Sequence, residues 1–346
     1  MHTIIISPSG RYYGSEQVLY DYLTETSLTH LVYVPAKGPF AKKILALEQQ
    51  HRIRFFRSSF ITLFYARLCC SLAIGKYSSV YCNEAGHVKY LVMLSRIFRK
   101  INFFIQVRIN EDTEPDRWAT TKPRNLEVLV ISKFIQNKLN FNTFLLYDPY
   151  RFQQQVVNTP ADSKLKIGVI GRISLAKGFN YLVELLNLCK EDNINYQFLL
   201  YGDPDPEMVA DGLIDELKTY EHVQLMGFCN DKTSMYNSVS CVLHLCSTEP
   251  LGRIFLEAID LAIPFVGFNA GGIGEIGKLT GLTELLVSPD EKNISVAFLG
   301  KLEYVEQEQR KLILTIKEKK KIAEKIFDLK KYTIHLDSFL TNIPES

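Results

Sequence analysis

Apolar runs separated by loops predict two successive α/β units in this chain of 346 residues. The first unit opens with the β-branched run Thr3–Ser7, which is followed by a loop that contains Gly10 and Gly14. Apolar residues at 18, 19, 22 and 23 then have the spacing of one helix face, so the segment predicts strand, loop and helix. Later runs, separated by segments long enough for crossover helices, indicate a parallel sheet. They are Leu31–Val34, Ser79–Cys82, Asn102–Val107 and Glu127–Ile131.

The same order of strand, loop and helix begins again after a polar segment without periodicity at 156–163, which we interpret as a linker. Strand Leu165–Ile170 is followed by the loop Gly171–Gly178 and by a helix face at 181, 182, 185 and 186. We therefore predict an N-terminal domain at 1–155, a C-terminal domain at 164–325 and a tail at 326–346 that packs back on the N-terminal domain. Further strands are predicted at Gln197–Tyr201, Val223–Met226, Cys241–Leu245 and Phe265–Gly267.

The loop after the first strand of the C-terminal domain carries glycines and two cations. It reads Gly171-Arg172-Ile-Ser-Leu-Ala-Lys177-Gly178 and lies where open α/β sheets bind their ligands, at the carboxyl end of a strand. Glycine lets the backbone approach a phosphate closely, and Arg172 and Lys177 supply charge for a diphosphate. The loop matches neither the dinucleotide-binding pattern nor the P-loop. An ordinary turn with two solvated cations is the alternative.

Two carboxylates eight residues apart form a second motif, Glu249-Pro-Leu-Gly252-Arg253-Ile-Phe-Leu-Glu257. Eight helical residues rise about 12 Å, a length that suits a ligand with two sets of hydroxyls separated by a diphosphate. Pro250 and Gly252 suit a first helical turn, whose amides can receive phosphate oxygens. Carboxylates accept hydrogen bonds from sugar hydroxyls. The spacing is also common by chance, so this motif is weak when it stands alone.

A third stretch, Asn269-Ala-Gly-Gly-Ile-Gly-Glu275, follows the strand Phe265–Gly267, opens another helix and again offers amides to an anion. The joint occurrence of the three motifs is far more specific than any one of them. With these motifs the chain resembles the retaining glycosyltransferases of the GT-B fold, of the group 1 or family 4 type. The resemblance is strong over residues 164–290. It is weaker in the first half, where Ser9–Glu16 is similar to the family's glycine loop.

The resemblance implies an α/β protein of the GT-B fold, with two Rossmann-like doubly wound domains that face each other across a cleft. The C-terminal domain would hold a nucleotide-sugar donor and the N-terminal domain the acceptor. Arg172 and Lys177 would bind the diphosphate, Glu249 would contact the donor sugar near its anomeric carbon, and Glu257 would accept hydrogen bonds from the ribose. Further donor contacts are implied for Gly171, the amides of Leu251, Gly252 and Arg253, and Gly14 of the opposite domain.

Three residues of the N-terminal half are weaker candidates for the acceptor or sugar side, namely Glu16, His87 and Arg108. The family often has a histidine at about the place of Arg108. A cation there could still face the donor phosphate, but a proton-shuttling role is lost. His87 lies at a predicted strand end, where a surface or hydrogen-bonded histidine is the alternative. A second departure is Asp148, in Tyr147-Asp148-Pro149, where the family usually has Asn-Gly.

Composition is ordinary for a globular protein, with 47% apolar and 23% charged residues, and this excludes a disordered chain. The apolar stretch Phe60–Gly75 is broken by Arg67, so no spanning helix is expected, and the first residues lack the basic region of a signal peptide. Seven cysteines without CxxC spacing predict reduced thiols in a cytosolic protein and no zinc site. Asp203-Pro-Asp205 mimics a metal-binding DxD, but its prolines favour a turn.

Charge is distributed unevenly along the chain. Residues 1–110 hold 14 Lys and Arg against 5 Asp and Glu, a net +9, whereas the remainder holds 26 against 33, a net −7. A basic half indicates an anionic partner, although the net charge of small domains also varies without a functional reason. The segments Ile61–Leu72 and Val88–Lys100 combine basic and apolar residues, a pattern typical of helices that lie on an anionic membrane. Packed crossover helices have the same pattern. No motif for nucleic acid is present.

We therefore expect a glycosyltransferase that moves a hexose or N-acetylhexosamine from a nucleotide-diphosphate sugar, with UDP before GDP, to a glycan or lipid-linked glycan. Retention of configuration, no metal and no cofactor are expected. The expected setting is assembly of a surface polysaccharide or lipopolysaccharide in the cytoplasm, with peripheral contact to the anionic inner membrane face. The alternatives are a non-catalytic GT-B-like protein that binds nucleotide or glycan, and a sugar-nucleotide epimerase of the same fold.

Overall fold

The structure is a computed structural model that describes residues 2–75, 77–118, 122–153, 164–229 and 231–341. Two compact units divide the chain, residues 1–151 with 327–346 and residues 152–326. The segment that we interpreted as a linker, 156–163, lies outside the described residues. The units are described one at a time below.

The N-terminal unit is built on a parallel sheet of seven strands. They are β1 (His2–Ile6), β2 (Leu31–Pro35), β3 (Arg52–Phe56), β4 (Tyr77–Cys82), β5 (Asn102–Val107), β6 (Leu126–Val130) and β7 (Phe144–Leu145). The strand order is β3-β2-β1-β4-β5-β6-β7. Ile4 pairs with Leu31 on one side and with Val80 on the other, so the direction of winding reverses at β1. This is the doubly wound topology that the pattern predicts.

Helices cover this sheet and bury their apolar faces. The first five are α1 (Gly14–Glu25), α2 (Pro39–Ile44), α3 (Ile61–Ala73), α4 (Val88–Ile97) and α5 (Lys133–Gln136). The predicted face of α1, at 18, 19, 22 and 23, is completely or almost completely buried in the core of the unit. Glu16 is buried in the first turn of α1 and accepts a hydrogen bond of 2.9 Å from the amide of Tyr13, the residue before the helix. Glu16 therefore caps this helix.

The C-terminal unit repeats the plan with six parallel strands in the order β10-β9-β8-β11-β12-β13. The strands are β8 (Lys166–Ile170), β9 (Gln197–Tyr201), β10 (Val223–Gly227), β11 (Cys241–His244), β12 (Phe265–Phe268) and β13 (Leu286–Val287). The helices are α6 (Phe179–Glu191), α7 (Pro206–Ala210), α8 (Leu213–Lys218), α9 (Lys232–Asn237), α10 (Arg253–Asp260), α11 (Gly271–Thr280) and α12 (Ile294–Ile326). Because the winding reverses beside β8, the loops after β8 and β11 are neighbours at one edge of the sheet.

The last helix, α13 (Leu329–Thr341), returns to the N-terminal unit and packs against α1 and β4. Tyr22 donates a hydrogen bond of 2.7 Å from its hydroxyl to Asp337, and Thr26 donates one of 2.9 Å to the same carboxylate. Ser79 of β4 donates to the carbonyl oxygen of Leu340. These polar contacts and the buried Leu336 attach α13 to the core of the unit.

A buried ion pair links β5 to the segment after β7. The guanidinium of Arg108 contacts the carboxylate of Asp148, and both side chains are about 95% buried. Arg108 also donates hydrogen bonds of 2.9 and 3.0 Å to the backbone and side-chain oxygens of Asn83. The donors of Arg108 are thus engaged inside the unit, and its contact with a donor phosphate stays a prediction. The two departures from the family pattern, Arg108 and Asp148, are partners in one interaction.

We predict that Asp148→Ala lowers the free energy of unfolding of the N-terminal unit by about 3–5 kcal/mol, because the guanidinium of Arg108 would be left buried without its counter-ion. The measurement is urea denaturation followed by circular dichroism. The matched control is Asp215→Ala, which removes the exposed partner of Lys218 and should change stability little. Equal effects of the two substitutions would contradict this prediction.

Candidate functional site

Three glycine-containing loops meet at the carboxyl ends of the C-terminal strands. The first follows β8 and ends at Gly178, the second joins β11 to α10, and the third joins β12 to α11. Gly178 has a φ of 80°, and a Cβ at this position would lie 2.1 Å from the carbonyl oxygen of Leu245. Only glycine allows this approach, which brings the loop after β8 against the loop after β11.

Lys177 and Glu249 connect the first two loops directly. The Nζ atom of Lys177 donates a hydrogen bond of 2.6 Å to Oε2 of Glu249, across 72 residues of sequence. Lys177 ends the short 3-10 turn Leu175–Lys177, and Glu249 lies in the loop between β11 and α10. The pair is partly accessible, with 35% of the lysine and 20% of the glutamate side chain exposed. The two residues that the sequence predicted for separate motifs therefore form one ion pair.

The charges of this pair are fixed by their surroundings. Burial raises the pKa of Glu249, but the interactions with His244 and Lys177 outweigh burial and lower the pKa to about 2. Burial lowers the pKa of Lys177, but Glu249 outweighs it, so this pKa lies above its ordinary value. Both groups are therefore charged throughout the neutral range. Burial also raises the pKa of the neighbouring Cys246 thiol, and contacts with His244 and Lys177 reverse this and lower it.

Helix α10 starts later than the spacing of the two carboxylates suggested. Gly252, with a φ of 91°, is the residue before its first turn, and the helix begins at Arg253. Glu249 and Pro250 precede the helix, so the expected rise of eight helical residues between Glu249 and Glu257 is wrong. Leu251 is buried in this loop. In the described part of the chain, the backbone amides of Leu251 and Gly252 make no hydrogen bond.

Glu257 lies in α10 and is 9% exposed. Its Oε2 accepts a hydrogen bond of 2.6 Å from the hydroxyl of the buried Tyr236, and its Oε1 accepts one of 2.5 Å from Nζ of Lys232. Both partners belong to α9, which the sequence motifs did not include. The carboxylate is therefore held in one orientation by a tyrosine from inside the unit and a lysine that is 65% exposed.

The third loop supports the second. The amide of Gly272 donates a hydrogen bond of 2.7 Å to the carbonyl oxygen of Glu249. A Cβ at 272 would lie 2.3 Å from Cα of Leu251, and one at Gly271 would lie 2.7 Å from the Glu249 carbonyl oxygen. The expectation that this loop offers its amides to an anion is wrong for Gly272 and Gly274, whose amides bond to Glu249 and Ala270. These glycines instead let α11 pack against the Glu249 loop.

Arg172 lies at the open side of the first loop, with 61% of its side chain exposed and a contact of 3.2 Å to Oδ1 of Asp205. Gly171 has a φ of 136°, and a Cβ there would meet no atom within 4 Å. Pro204 forms an isolated parallel β-bridge with Ile173, after a bend at Gly202. Asp205 thus faces the cation Arg172.

The structure places the remaining candidates in the N-terminal unit. Gly14 starts α1, and Glu16 caps that helix. His87 lies just before α4 in an aromatic cluster with Phe56, Tyr65 and Tyr90. Burial lowers the pKa of His87 to about 4, so its imidazole is neutral at physiological pH.

Four residues near the loops were missed by sequence reasoning, namely Lys232, Tyr236, His244 and Cys246. His244 ends β11, and its Nε2 lies 3.4 Å from Oε2 of Glu249. One ligand atom each of His244, Cys246 and Glu249 lies within 4.8 Å of the other two, a grouping that could hold a metal ion. The apolar surroundings of His244 and Cys246 in the sequence resemble an ordinary buried strand, which gave no signal for these two residues.

We predict that Gly272→Ala lowers the free energy of unfolding by about 1–3 kcal/mol, because the new methyl group collides with the Leu251 backbone. Thermal denaturation measures the effect. The matched control is Gly300→Ala in α12, where a Cβ meets nothing within 4 Å and the helix gains about 0.5–1 kcal/mol of propensity. An unchanged melting temperature of Gly272→Ala would disprove the supporting role of the third loop.

Curated relatives match this chain over part of its length. Residues 151–308 match the family model described as glycosyl transferases group 1. An uncharacterised 42.6-kDa protein of the cps region of Klebsiella pneumoniae is 27% identical over 173 residues, which cover 47% of this chain and 44% of that protein. The alpha-monoglucosyldiacylglycerol synthase of Acholeplasma laidlawii is 28% identical over 100 residues, 28% of this chain and 25% of that enzyme. The matches thus span less than half the length of these relatives.

Solved structures match the chain over nearly its whole length. Anabaena HepE in complex with UDP-glucose has a TM-score of 0.77 at 19% identity and covers 99% of this chain and 100% of that one. The lipopolysaccharide outer core galactosyltransferase WaaB has a TM-score of 0.72 at 16% identity, with 98% and 99% covered. These similarities confirm the predicted fold, with two Rossmann-like units of the GT-B type. The resemblance to the group 1 glycosyltransferases is confirmed over residues 151–308, which match the family model.

Proposed function

We propose that this protein transfers a hexose or N-acetylhexosamine from UDP-sugar to a glycan or lipid-linked glycan, with retention of configuration. The observation that carries the proposal is the Lys177–Glu249 pair, which joins two loops at the carboxyl ends of parallel strands beside the start of α10. Ligands of open α/β sheets bind at such strand ends. The match of residues 151–308 to group 1 glycosyltransferases supports a donor site in this unit.

The choice of UDP rests on the solved structures. HepE was solved with UDP and with UDP-glucose, and the pneumococcal O-GlcNAc transferase GtfA, which has a TM-score of 0.60, was solved with UDP and GlcNAc. GDP is the second candidate for the base. We place the ribose at Glu257, whose carboxylate accepts hydrogen bonds and is oriented by Tyr236.

The proposed chemistry places positive charge where the leaving group becomes negative. Glycosyl transfer passes through a state like an oxocarbenium ion, and the departing diphosphate must be stabilised. Lys177 and Arg172 would bind the diphosphate, together with the amides of Leu251 and Gly252 before the N-terminus of α10. Because these groups carry the charge, we propose that no metal is required. Glu249 is ionised at neutral pH and would face the developing positive charge of the sugar.

Retention follows in this proposal from attack on the face that the leaving group vacates. A double displacement needs a carboxylate that acts as nucleophile. Oε2 of Glu249 accepts a hydrogen bond of 2.6 Å from Lys177, which lowers the nucleophilicity of that oxygen. We therefore favour a front-face reaction, in which the diphosphate oxygen itself receives the proton of the acceptor hydroxyl.

For the acceptor, the relatives point to glycans and lipids. WaaB acts in the lipopolysaccharide outer core, the Klebsiella relative lies in a cps region, and the Acholeplasma relative makes a glucosyl lipid, as their names state. No helix in the described ranges is long and apolar enough to cross a membrane. We propose peripheral contact with an anionic membrane, which would bring a lipid-linked acceptor to the enzyme from the cytoplasmic side.

The surface proposed for that contact is the α3–α4 patch, defined by exposed residues on and around these two helices. The helices touch through the stacked rings of Tyr65 and Tyr90, with centroids 4.3 Å apart, and each buries some of its apolar residues in the unit. Packing within the unit accounts for the apolar residues on the buried face of each helix. Other apolar and basic side chains of the two helices are exposed to solvent. The patch consists of Phe60, Leu63, Ile74, Met93 and Ile97 with Arg57, Arg67, Lys89, Arg99 and Lys100.

We predict that Lys177→Met lowers kcat for sugar transfer from UDP-sugar by about 10²-fold or more, because a charge aimed at the leaving group is lost. Initial rates of UDP release measure kcat and KM. The control is Lys278→Met, an exposed lysine of α11 whose removal should leave both constants unchanged.

Two results would contradict the proposal. Turnover by Lys177→Met at the wild-type rate would remove the assigned role of Lys177. UDP binding by the wild-type protein without turnover of any UDP-sugar, in the presence of lipid and glycan acceptors, would favour a non-catalytic binding protein.

We predict that the protein sediments with vesicles of anionic lipid at low salt and that Lys100→Glu weakens this binding by about fivefold or more. Leu63→Ser with Ile97→Ser should weaken it further, since both side chains are apolar and exposed. The control is Ile334→Ser in α13, which removes an equally exposed apolar side chain outside the patch. Failure of the wild-type protein to bind at low salt would contradict membrane contact.

A further inference from the structure

A histidine, a cysteine and a carboxylate meet at the end of β11. They are His244, Cys246 and Glu249, and one ligand atom from each lies within 4.8 Å of the other two. His244 and Cys246 are buried, and Glu249 is half-buried. Imidazole nitrogen, thiolate sulfur and carboxylate oxygen are the three ligand types that zinc takes in proteins.

The spacing of these atoms suits a tetrahedral ion. Nε2 of His244 lies 3.4 Å from Oε2 of Glu249. Zinc at about 2.0–2.1 Å from both nitrogen and oxygen would set them about 3.3 Å apart in a tetrahedron. The sulfur of Cys246 would stand about 2.3 Å from the zinc.

A second observation points to a ligand. The side chain of His244 is 93% buried, and its Nε2 has no hydrogen-bond partner within the described residues. Its contact with Oε2 of Glu249, at 3.4 Å, does not meet hydrogen-bond geometry, whereas buried polar atoms in proteins are nearly always hydrogen-bonded. A cation between Nε2 and Glu249 would give this nitrogen a partner.

The chemical types of the three ligand atoms indicate which cation the site would bind. Magnesium and calcium prefer oxygen ligands, and a thiolate and an imidazole do not suit them. A borderline-soft divalent cation such as zinc accepts all three groups and leaves a fourth position for water or substrate.

Lys177 competes with such a cation. Its Nζ lies 2.6 Å from the same Oε2 of Glu249, so an ion bound there would repel the ammonium. The lysine side chain is partly exposed and can move toward solvent.

We propose that His244, Cys246 and Glu249 form a site for a borderline-soft divalent cation such as zinc, and that the cation displaces Lys177 from Glu249. The inhibition of transfer that follows rests on the proposed function, whereas the metal site itself rests only on the geometry.

Titration of the full chain with cobalt(II), in the absence of substrate, tests the site. Cobalt replaces zinc in such sites and gives a thiolate charge-transfer band and tetrahedral d–d bands. One equivalent should bind with both signals. Cys246→Ser should remove the charge-transfer band, and His244→Asn should weaken binding at least about tenfold. The matched control is Cys229→Ser, a partly exposed thiol outside the group, which should leave the spectrum unchanged.

Lys177→Met gives a test in the opposite direction. Loss of the competing ammonium should tighten cobalt binding by about fivefold or more. This variant keeps all three ligands, so the test holds even if Cys246→Ser folds poorly. The site is disproved if the thiolate band persists in Cys246→Ser or if no band forms in the wild-type protein. The displacement of Lys177 is disproved if Lys177→Met binds cobalt no more tightly.

Competition with UDP separates the site from the proposed function. If UDP weakens cobalt binding by more than its own chelation of cobalt(II), which is measured without protein, the cation site and the donor site overlap, and we expect zinc to inhibit transfer. If cobalt binding depends on Cys246 and His244 but UDP leaves it unchanged, the metal site stands and its inhibitory role is disproved.

Discussion

The ion pair between Lys177 and Glu249 is the contact on which the C-terminal site depends. It joins loops that follow different strands, and it forms only because backbones come unusually close on both sides of it. Gly178 allows the first loop to touch the carbonyl oxygen of Leu245, and Gly272 allows α11 to touch Leu251. A side chain at either glycine would separate the loops and move the two charges apart. The glycines of the motifs therefore allow the loops to pack closely, and this packing brings the two charged side chains together.

The same contact sets the electrostatics of the site. The carboxylate of Glu249 has a pKa of about 2 because His244 and Lys177 favour its charged form against burial. A lysine and a carboxylate that are both charged are poor general acids or bases at neutral pH. They are suited to orienting a ligand and to stabilising charge that develops during a reaction. This agrees with the proposed transfer, in which an oxygen of the leaving diphosphate accepts the proton of the acceptor hydroxyl.

The sequence predicted the strands and helices that have a clear apolar periodicity. It missed strands that are partly exposed or too short to show such a periodicity. Strand β3 was missed because Arg52 and Arg54 interrupt its apolar residues at the sheet edge, where Phe56 alone of the five strand residues is buried. Strands β7 and β13 have two residues each, too few for any periodicity. The order of the strands also could not be predicted, since it depends on pairing between residues far apart in the chain.

For the site, the sequence predicted residue types correctly but not their partners. Arg108 was assigned by analogy to a ligand, whereas its carboxylate partner Asp148 lies 40 positions further along and gives no local signal. The start of α10 was misplaced because Pro250 suits a first turn, while Gly252 in a left-handed conformation ends the loop. Tyr236 shares no motif with Glu257 and could be found only from the packing of α9 on α10.

In the proposed function, the loops around Lys177, Glu249 and Glu257 bind the diphosphate of a nucleotide sugar. Thermal denaturation with UDP, GDP, CDP, ADP and dTDP, each with and without magnesium, tests this binding. A nucleotide at about 100 times its Kd adds roughly 2.7 kcal/mol and raises the melting temperature by several degrees. We expect that UDP gives the largest rise and that magnesium does not change it. No rise with any diphosphate, or a rise only with magnesium, would contradict it.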